Sequence, residues 1–291
     1  MSSPIDFSQP DAHLFIPSGR PADEVFPLIT HVGIGAHPDD LEIMAFHGIR
    51  ECYRRTDRRF AGIVCTDGAG SPRSGSSAGF SNADMKRIRR EEQIAAAQLG
   101  DYGLLAMLSH PSEEVKGAGG SALRADLLAL LGRMRPQTVY MHNPMDRHET
   151  HLAVFAATMD ALRALPADRR PARVLGCEVW RGLDWLPTEW KVALDLSGGE
   201  DLFQSLVRVF DSQIAAGKRY DLAALGRARA NATFLDSHQP DSAEAIWFAI
   251  DLTPLVRDSG IDLLAFVERV LCDFSALIRE RLRRYAGRSE S

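Results

Sequence analysis

Cysteine is scarce in this chain of 291 residues: Cys52, Cys65, Cys177 and Cys272 stand far apart, and none belongs to a Cys-x-x-Cys pair. A disulfide framework and a structural cysteine–zinc site are therefore not expected, and a reducing compartment is the default. Long apolar runs are missing too. None exceeds six residues, so no segment reads as a helix that spans a bilayer, and no membrane partner is expected. The polar N-terminus carries no secretory apolar core, which points to the cytoplasm. There is no excess of positive charge: 34 Lys and Arg against 39 Asp and Glu leave a net −5. That balance argues against nucleic acid as a partner. A P-loop and a dinucleotide-type glycine fingerprint are absent as well. What is present, 45% apolar and 25% charged residues, is the make-up of a folded globular protein rather than a disordered or collagen-like one.

The pattern along the chain alternates between strands and helices. Residues 1–25 mix Pro, Ser, Asp and Gly without a period and read as an extended arm. Leu28–Gly35 is β-branched or small and ends in turn residues, as a buried strand does. Phe60–Cys65 and Thr138–Met141 repeat that signature, and Arg173–Val179 and Lys191–Leu196 are strand-like. Between them, Gly68–Ser81 is Gly- and Ser-rich and reads as a loop, while Asp84–Leu99 reads as a helix closed by Gly100. Ser121 is placed to cap a helix reaching Met134, and Leu152, Phe155, Met159 and Leu162 recur at helical intervals.

The alternation predicts an α/β fold: a Rossmann-like, mostly parallel sheet with helices on both faces over residues 26–200. Residues 201–291 read as a mainly helical C-terminal part of the same domain. Its stripe Leu263, Val267, Val270, Phe274 and Leu277 packs on the body or on a second subunit, which leaves a homo-oligomer open. The stretch 217–231, with Lys218, Arg219, Tyr220, Arg227, Arg229 and Asn231, reads as a solvated helix face or as part of a substrate pocket.

Two clusters carry chemistry. His37-Pro38-Asp39-Asp40 follows the first strand directly, where ligands sit in open α/β sheets. After the Thr138–Met141 strand comes His142-Asn143-Pro144-Met145-Asp146-Arg147-His148-Glu149-Thr150-His151, three histidines and two acids in a chain with nine His in all. His148 and His151 are three apart at a helix start and can share a side. Catalytic zinc takes three protein ligands and leaves room for water. His37, Asp40 and one downstream histidine supply that set. Asp39, beside the metal, can take the water's proton. The histidine left over can stabilise an oxyanion if protonated, a state that Asp146 or Glu149 would favour. His142, ending a strand, is a candidate to orient the site, and His47 lies within reach of the first cluster as a pocket-lining group. The chemistry implied is metal-assisted hydrolysis of an amide or ester. A non-catalytic sugar- or nucleotide-binding protein is the alternative of another class.

These residues resemble the LmbE-like (PIG-L-like) de-N-acetylases, whose hallmarks are an Ala-His-Pro-Asp-Asp motif and, about a hundred residues later, a His-x-x-His motif. Here they stand as Ala36-His37-Pro38-Asp39-Asp40, followed by Leu41-Glu42-Ile43, and His148-Glu149-Thr150-His151. Thr66-Asp67-Gly68 and the helix from Arg89 and Glu92 to Leu99-Gly100 are similar as well, so the likeness covers roughly residues 28–200. The resemblance implies a Rossmann-like fold with one divalent metal, most simply Zn2+, removing the acetyl group of a small N-acetylated amino sugar. By position it implies His37, Asp40 and His151 as metal ligands, Asp39 as general base, His148 at the oxyanion and Arg89 on the substrate. The sequence departs from the family's pattern twice. Thr150 stands where many members have a carboxylate, and Phe46-His47 replaces a glycine pair, bulk expected to narrow the pocket.

The remaining histidines have plain readings. His13 and His238 are surface or packing residues, His31 a sheet-edge residue, and His110, beside Pro111, a turn residue. Trp180, Trp185 and Trp190 read as core packing or as sugar-stacking groups.

Overall fold

Eight strands form one sheet: β1 (His13–Phe15), β2 (Ile29–Gly35), β3 (Arg59–Thr66), β4 (Leu104–His110), β5 (Thr138–His142), β6 (Arg173–Cys177), β7 (Lys191–Asp195) and β8 (Ile246–Asp251). Their order is β1-β4-β3-β2-β5-β6-β8-β7, in a computed structural model that describes residues 5–117 and 120–286, without the side chain of Ser76. The five strands from β4 to β6 run parallel, and β1, β8 and β7 join antiparallel. Parallel strands covered on both faces read as unbroken apolar runs. In β4 every residue is buried, with Leu104, Ala106 and Leu108 in one core and Leu105 and Met107 in the other.

Among the helices are α1 (Asp40–Met44), α2 (Phe46–Cys52), α3 (Asn82–Leu99), α4 (Gly120–Arg133), α5 (Glu149–Ala164), α6 (Glu200–Arg208), α7 (Tyr220–Thr233) and α8 (Leu263–Ala286). Apolar residues of α4, α5 and α8 fill the core on one face, and those of α1, α2, α3, α6 and α7 fill the other. α3 starts at a reciprocal cap: Ser81 Oγ accepts from Asp84 N–H, and Asp84 Oδ2 accepts from Ser81 N–H. From β2 the chain builds outward through β3 to β4, then returns past β2 to β5. That reversal puts a crevice at the carboxyl ends of β2 and β5, the switch point where α/β sheets bind ligands.

Several expectations need correction. The arm is not merely extended: β1 pairs with β4, and a helical turn follows at Ala22–Val25. Its first four residues, like residues 287–291 of the C-terminal part, lie outside the described residues. Ser121 sits inside α4 rather than capping it. His31 lies in β2, a central strand flanked by β3 and β5, not at an edge. His110 closes β4 fully buried, its Nε2 2.9 Å from Asp126 Oδ2, while Asp126 Oδ1 accepts from Ser8 N–H at 3.0 Å. That pair anchors the arm. The C-terminal third is mainly helical but also supplies β8, inserted between β6 and β7.

Glu178 ties this late strand in. Its Oε1 accepts from Phe248 N–H (3.0 Å) and Asn231 Nδ2 (2.6 Å), and its Oε2 from Leu183 N–H (2.8 Å). Burial raises its carboxyl above the ordinary value, despite these donors. Glu178→Ala strands three buried donors at a cost of about 1–3 kcal/mol each. We expect an unfolding free energy lower by at least about 3 kcal/mol, read as a reduced urea midpoint; an unchanged midpoint would remove Glu178 as the tie.

Candidate metal centre

The chain leaves β2 through a tight turn. Asp40 Oδ2 accepts from His37 N–H at 2.8 Å, and Asp39 takes a left-handed backbone conformation, φ 88°. For a non-glycine residue such a conformation costs about 1–3 kcal/mol and persists only where surroundings enforce it. Here they do. Asp39 N–H donates to Gln93 Oε1 (3.2 Å), Gln93 Nε2 donates to Glu42 Oε1 (2.7 Å), and the Tyr102 hydroxyl donates to the same oxygen (2.7 Å). Burial pushes the Glu42 carboxyl up to about 7.

Beyond β5, the side chain of His142 reaches across the crevice, where its Nε2 accepts from Ala36 N–H at 2.9 Å. Asn143 clamps the following turn: Nδ2 donates to Cys177 O and Oδ1 accepts from Met145 N–H, both at 2.9 Å. Asp146 Oδ1 accepts from His148 N–H (3.0 Å) and Oδ2 from Trp180 N–H (3.2 Å). α5 then begins, and its third residue, His151, is fully buried against the first cluster.

Three donor atoms meet there. His37 Nδ1 lies 3.2 Å from His151 Nε2 and 3.4 Å from Asp40 Oδ2, and His151 Nε2 is 3.3 Å from that oxygen. Ligand bonds near 2.0–2.1 Å in a tetrahedral zinc site put neighbouring donors about 3.3 Å apart. The triangle has that size, and a set of two imidazoles and one carboxylate fits zinc. Asp40 and His151 are buried, while His37 keeps 21% of its side chain exposed towards the open side. Burial alone would raise the Asp40 carboxyl. The charge of His151, then the imidazoles of His142 and His37 beside it, outweigh burial and hold Asp40 well below the usual range. For His151, burial is the largest single influence and lowers the pKa, but Asp40 and Asp146 together outweigh it and raise it.

His142, Asp146 and His151 form a second group whose donor atoms lie within 4.8 Å of one another. It fits an ion less well, because the His142 Nε2 lone pair is occupied by Ala36 N–H and both Asp146 oxygens accept backbone N–H groups. Burial, and then the charge of His151, keep His142 neutral, with its pKa lowered to about 4. His142 therefore sits beside Asp40 (3.4 Å) as a neighbour that orients it. Asp146 stands behind His151, 3.6 Å from Nδ1.

Asp39 lines the cavity over the triangle. Burial pushes its carboxyl up to about 6, against the pull of Arg89. Arg89 lines the cavity too, yet it is 1% exposed and its terminal nitrogens are taken. Nη2 donates to Asp39 Oδ2 (2.7 Å) and to the Pro38 carbonyl, and Nη1 donates to Glu92 Oε2 (3.1 Å). Gly68 (φ +70°) lets the loop close on it, where an added Cβ would come within 3.2 Å of the Arg89 side chain. Its visible work is to hold Asp39 rather than to reach outward. Arg89→Met is expected to cost about 3–5 kcal/mol, since it leaves buried carboxylates unpaired, with Arg89→Lys recovering part. Urea denaturation checks this, and an unperturbed Arg89→Met would contradict the tie.

His148 closes the group, its ring stacked on His151 (centroids 4.6 Å) and edge-on to His37 (4.9 Å). Burial, then the charges of His151 and His37, lower its pKa to about 4. Neither acid expected to favour its protonated form reaches the ring: Asp146 turns to His151, and Glu149 is exposed. His47 also departs from expectation. It lies on α2 with Nδ1 2.8 Å from the Tyr140 hydroxyl, outside the cavity, because Gly48 lets α2 close on that ring. The bulk of Phe46 goes into the core against Phe203 and does not narrow the site. Trp185 and Trp190 pack on Phe274 and Phe266 of α8, whereas Trp180 lines the cavity.

That cavity, about 550 Å³, is lined mostly by polar residues, with Ser71, Arg147, Lys218 and Gln213 in its walls. Lys218 Nζ sits 5.2 Å over the Trp180 ring. Sequence reasoning missed the Tyr102–Glu42–Gln93 chain. The signal for it was the spacing of Arg89 and Gln93, one helical turn apart on α3.

Comparison with known proteins bears out the resemblance. Residues 32–162 match the family model described as PIG-L, GlcNAc-PI de-N-acetylase. None of the curated proteins matches the chain. Among solved structures, the N,N'-diacetylchitobiose deacetylase of Pyrococcus horikoshii superposes with TM-score 0.62 at 15% identity, covering 79% of this chain and 85% of its own. The conserved protein TT1542 of Thermus thermophilus does so with TM-score 0.59 at 17% identity, covering 80% and 99%. The 4-carboxy-2-hydroxymuconate hydratase of Pseudomonas putida follows with TM-score 0.56 at 16% identity, covering 78% and 97%. At such identities the likeness is one of fold, a fold that carries a hydratase as well as a deacetylase. Among the described residues, no helix is long and apolar enough to cross a membrane.

Proposed function

We propose that this protein is a metal-dependent, specifically zinc-dependent, N-deacetylase acting on an amino sugar or a related small glycoconjugate. The observation that carries the reading is the donor triangle of His37, Asp40 and His151, with sides of 3.2–3.4 Å, at the switch point and beside the carboxylate of Asp39. The match of the stretch that carries these residues to the PIG-L family supports the same reaction.

His37, Asp40 and His151 would hold the ion. Bound there, zinc would lower the pKa of a water molecule and polarise the amide carbonyl. The chain's own residues do the rest. Asp39 takes a proton from the attacking water and returns it to the departing amine, a task suited to a group whose pKa lies near the working pH. Arg89 and the Gln93 bond fix where that carboxylate points. His148, neutral, offers its ring N–H to the oxygen on which negative charge develops. His142 and Asp146 hold Asp40 and His151 in place. Polar groups around the cavity meet the hydroxyls of the sugar.

The test is acetate release from N-acetylglucosamine conjugates by protein whose zinc content has been measured. Acetate formation that stops with a chelator and returns with zinc is the expected result. Zinc-replete, folded protein that releases no acetate from any N-acetylated amine would overturn the proposal.

A further inference from the structure

The carboxylates of Asp39 and Asp40 also form one end of a second, smaller space. This chamber, about 140 Å³, is walled by Ile43, Val179, Trp180, Trp247, Ala223 and Ala224. α7, from the C-terminal third, contributes the two alanines. Two of the polar groups around it are turned to backbone carbonyls. Trp247 Nε1 donates to the Glu178 carbonyl at 2.9 Å, and Arg227 donates to the Val179 carbonyl with its guanidinium 5.7 Å from the Trp247 ring. Tyr220 turns its ring edge-on to Trp180, at 6.1 Å. Away from its carboxylate end, and apart from Tyr220 and Arg227, the chamber is walled by hydrocarbon and indole, while the larger cavity is walled mostly by polar residues and carries charges. Two compartments of opposite character meet at the same two carboxylates, and a scissile amide likewise has two halves.

Building on the proposed amide-hydrolysing N-deacetylase reading of this site, we propose that the chamber holds the hydrocarbon tail of the acyl group. The preferred acyl group is then longer than acetyl: a straight chain of four to six carbons, or benzoyl. An apolar cavity of about 150 Å³ accommodates a benzene-sized group, so the methyl of an acetyl group leaves most of this one empty. The polar amine half lies in the larger cavity. In the reaction, water adds to the acyl carbon, the C–N bond breaks and the amine leaves with the proton, giving a free carboxylate and glucosamine. Each methylene that enters the chamber adds up to about fourfold to kcat/KM.

The experiment uses the metal-replete full chain and glucosamine carrying N-acetyl, N-butanoyl, N-hexanoyl or N-benzoyl groups, with glucosamine release as the common readout. Wild-type protein is expected to favour butanoyl over acetyl by about tenfold, two methylenes at up to fourfold each. Ala223 is exposed on α7, so Ala223→Phe fills the chamber mouth without disturbing the core. It should collapse the butanoyl-to-acetyl ratio at least tenfold, and Ala224→Leu should do so from deeper in. Rates that fall steadily from acetyl upward, or a ratio that neither variant moves, would overturn the proposal and leave the deacetylase reading standing. Glucosamine released from no member of the series would overturn both.

Discussion

Asp39→Asn is expected to lower kcat by about 10²–10⁴-fold, the usual contribution of a positioned general base, while metal content stays at one ion per chain. The substitution changes one atom. It keeps the volume, and Asn tolerates the left-handed backbone that Asp39 adopts (φ 88°). Backbone bonding to Gln93 is untouched, and Arg89 retains the Pro38 carbonyl and Glu92. What is lost is the ability to take a proton at the oxygen that Arg89 holds, and no other carboxylate in the cavity is free to replace it. Asp40 belongs to the donor triangle, and Glu113, the remaining carboxylate of the lining, pairs with Lys116 at 2.8 Å. KM should therefore change little, so the loss falls on kcat. Steady-state kinetics with metal analysis of the same preparation decide the matter. Activity within about threefold of wild type at full metal content would remove Asp39 as the base.

Much of this site was legible in the sequence for a definite reason. Parallel strands covered on both sides produce compact apolar runs, and the residues just after such a run lie at the edge where ligands bind. His37–Asp40 and His142–His151 both come directly after one, so their meeting could be anticipated without coordinates. Three-dimensional packing was harder to read. β4 escaped because Leu104-Leu105-Ala106-Met107-Leu108 is built from good helix formers, and only its place between β1 and β3 makes it a strand. β8 carries a clear signal in Ile246-Trp247-Phe248, but it arrives late in a helical region and pairs with strands some 50–75 residues earlier. His47 shows the limit of helix geometry as a guide. Its position on α2 brings it near the first cluster in sequence, yet Gly48 draws that face onto Tyr140 and away from the cavity. Arg89 was legible as a residue of the site but not in its partner, because an ion pair 50 residues apart leaves no local trace.

The donor triangle makes a sharper demand, since two neighbouring histidines should fail in different ways. His151→Ala removes one of three donors and also leaves Asp40 and Asp146 facing each other without the imidazole between them. His142→Ala leaves all three donors in place and takes away only a neutral ring that touches Asp40 and accepts from Ala36 N–H. Loss of a group that orients a ligand costs about 10–100-fold in metal affinity, a deficit that excess zinc can overcome. Loss of a ligand removes the site. His151→Ala is thus expected to purify without zinc and to stay inactive at any zinc concentration that the protein tolerates. His142→Ala should purify metal-poor and regain most of its activity on titration. Zinc binding measured beside activity, with melting curves to confirm that both variants fold, separates the two. If zinc fails to restore His142→Ala as it fails with His151→Ala, the ion belongs to the other group of donors, His142, Asp146 and His151. Asp39 would then no longer stand beside a coordinated carboxylate, and the proton path drawn through it would have to begin elsewhere.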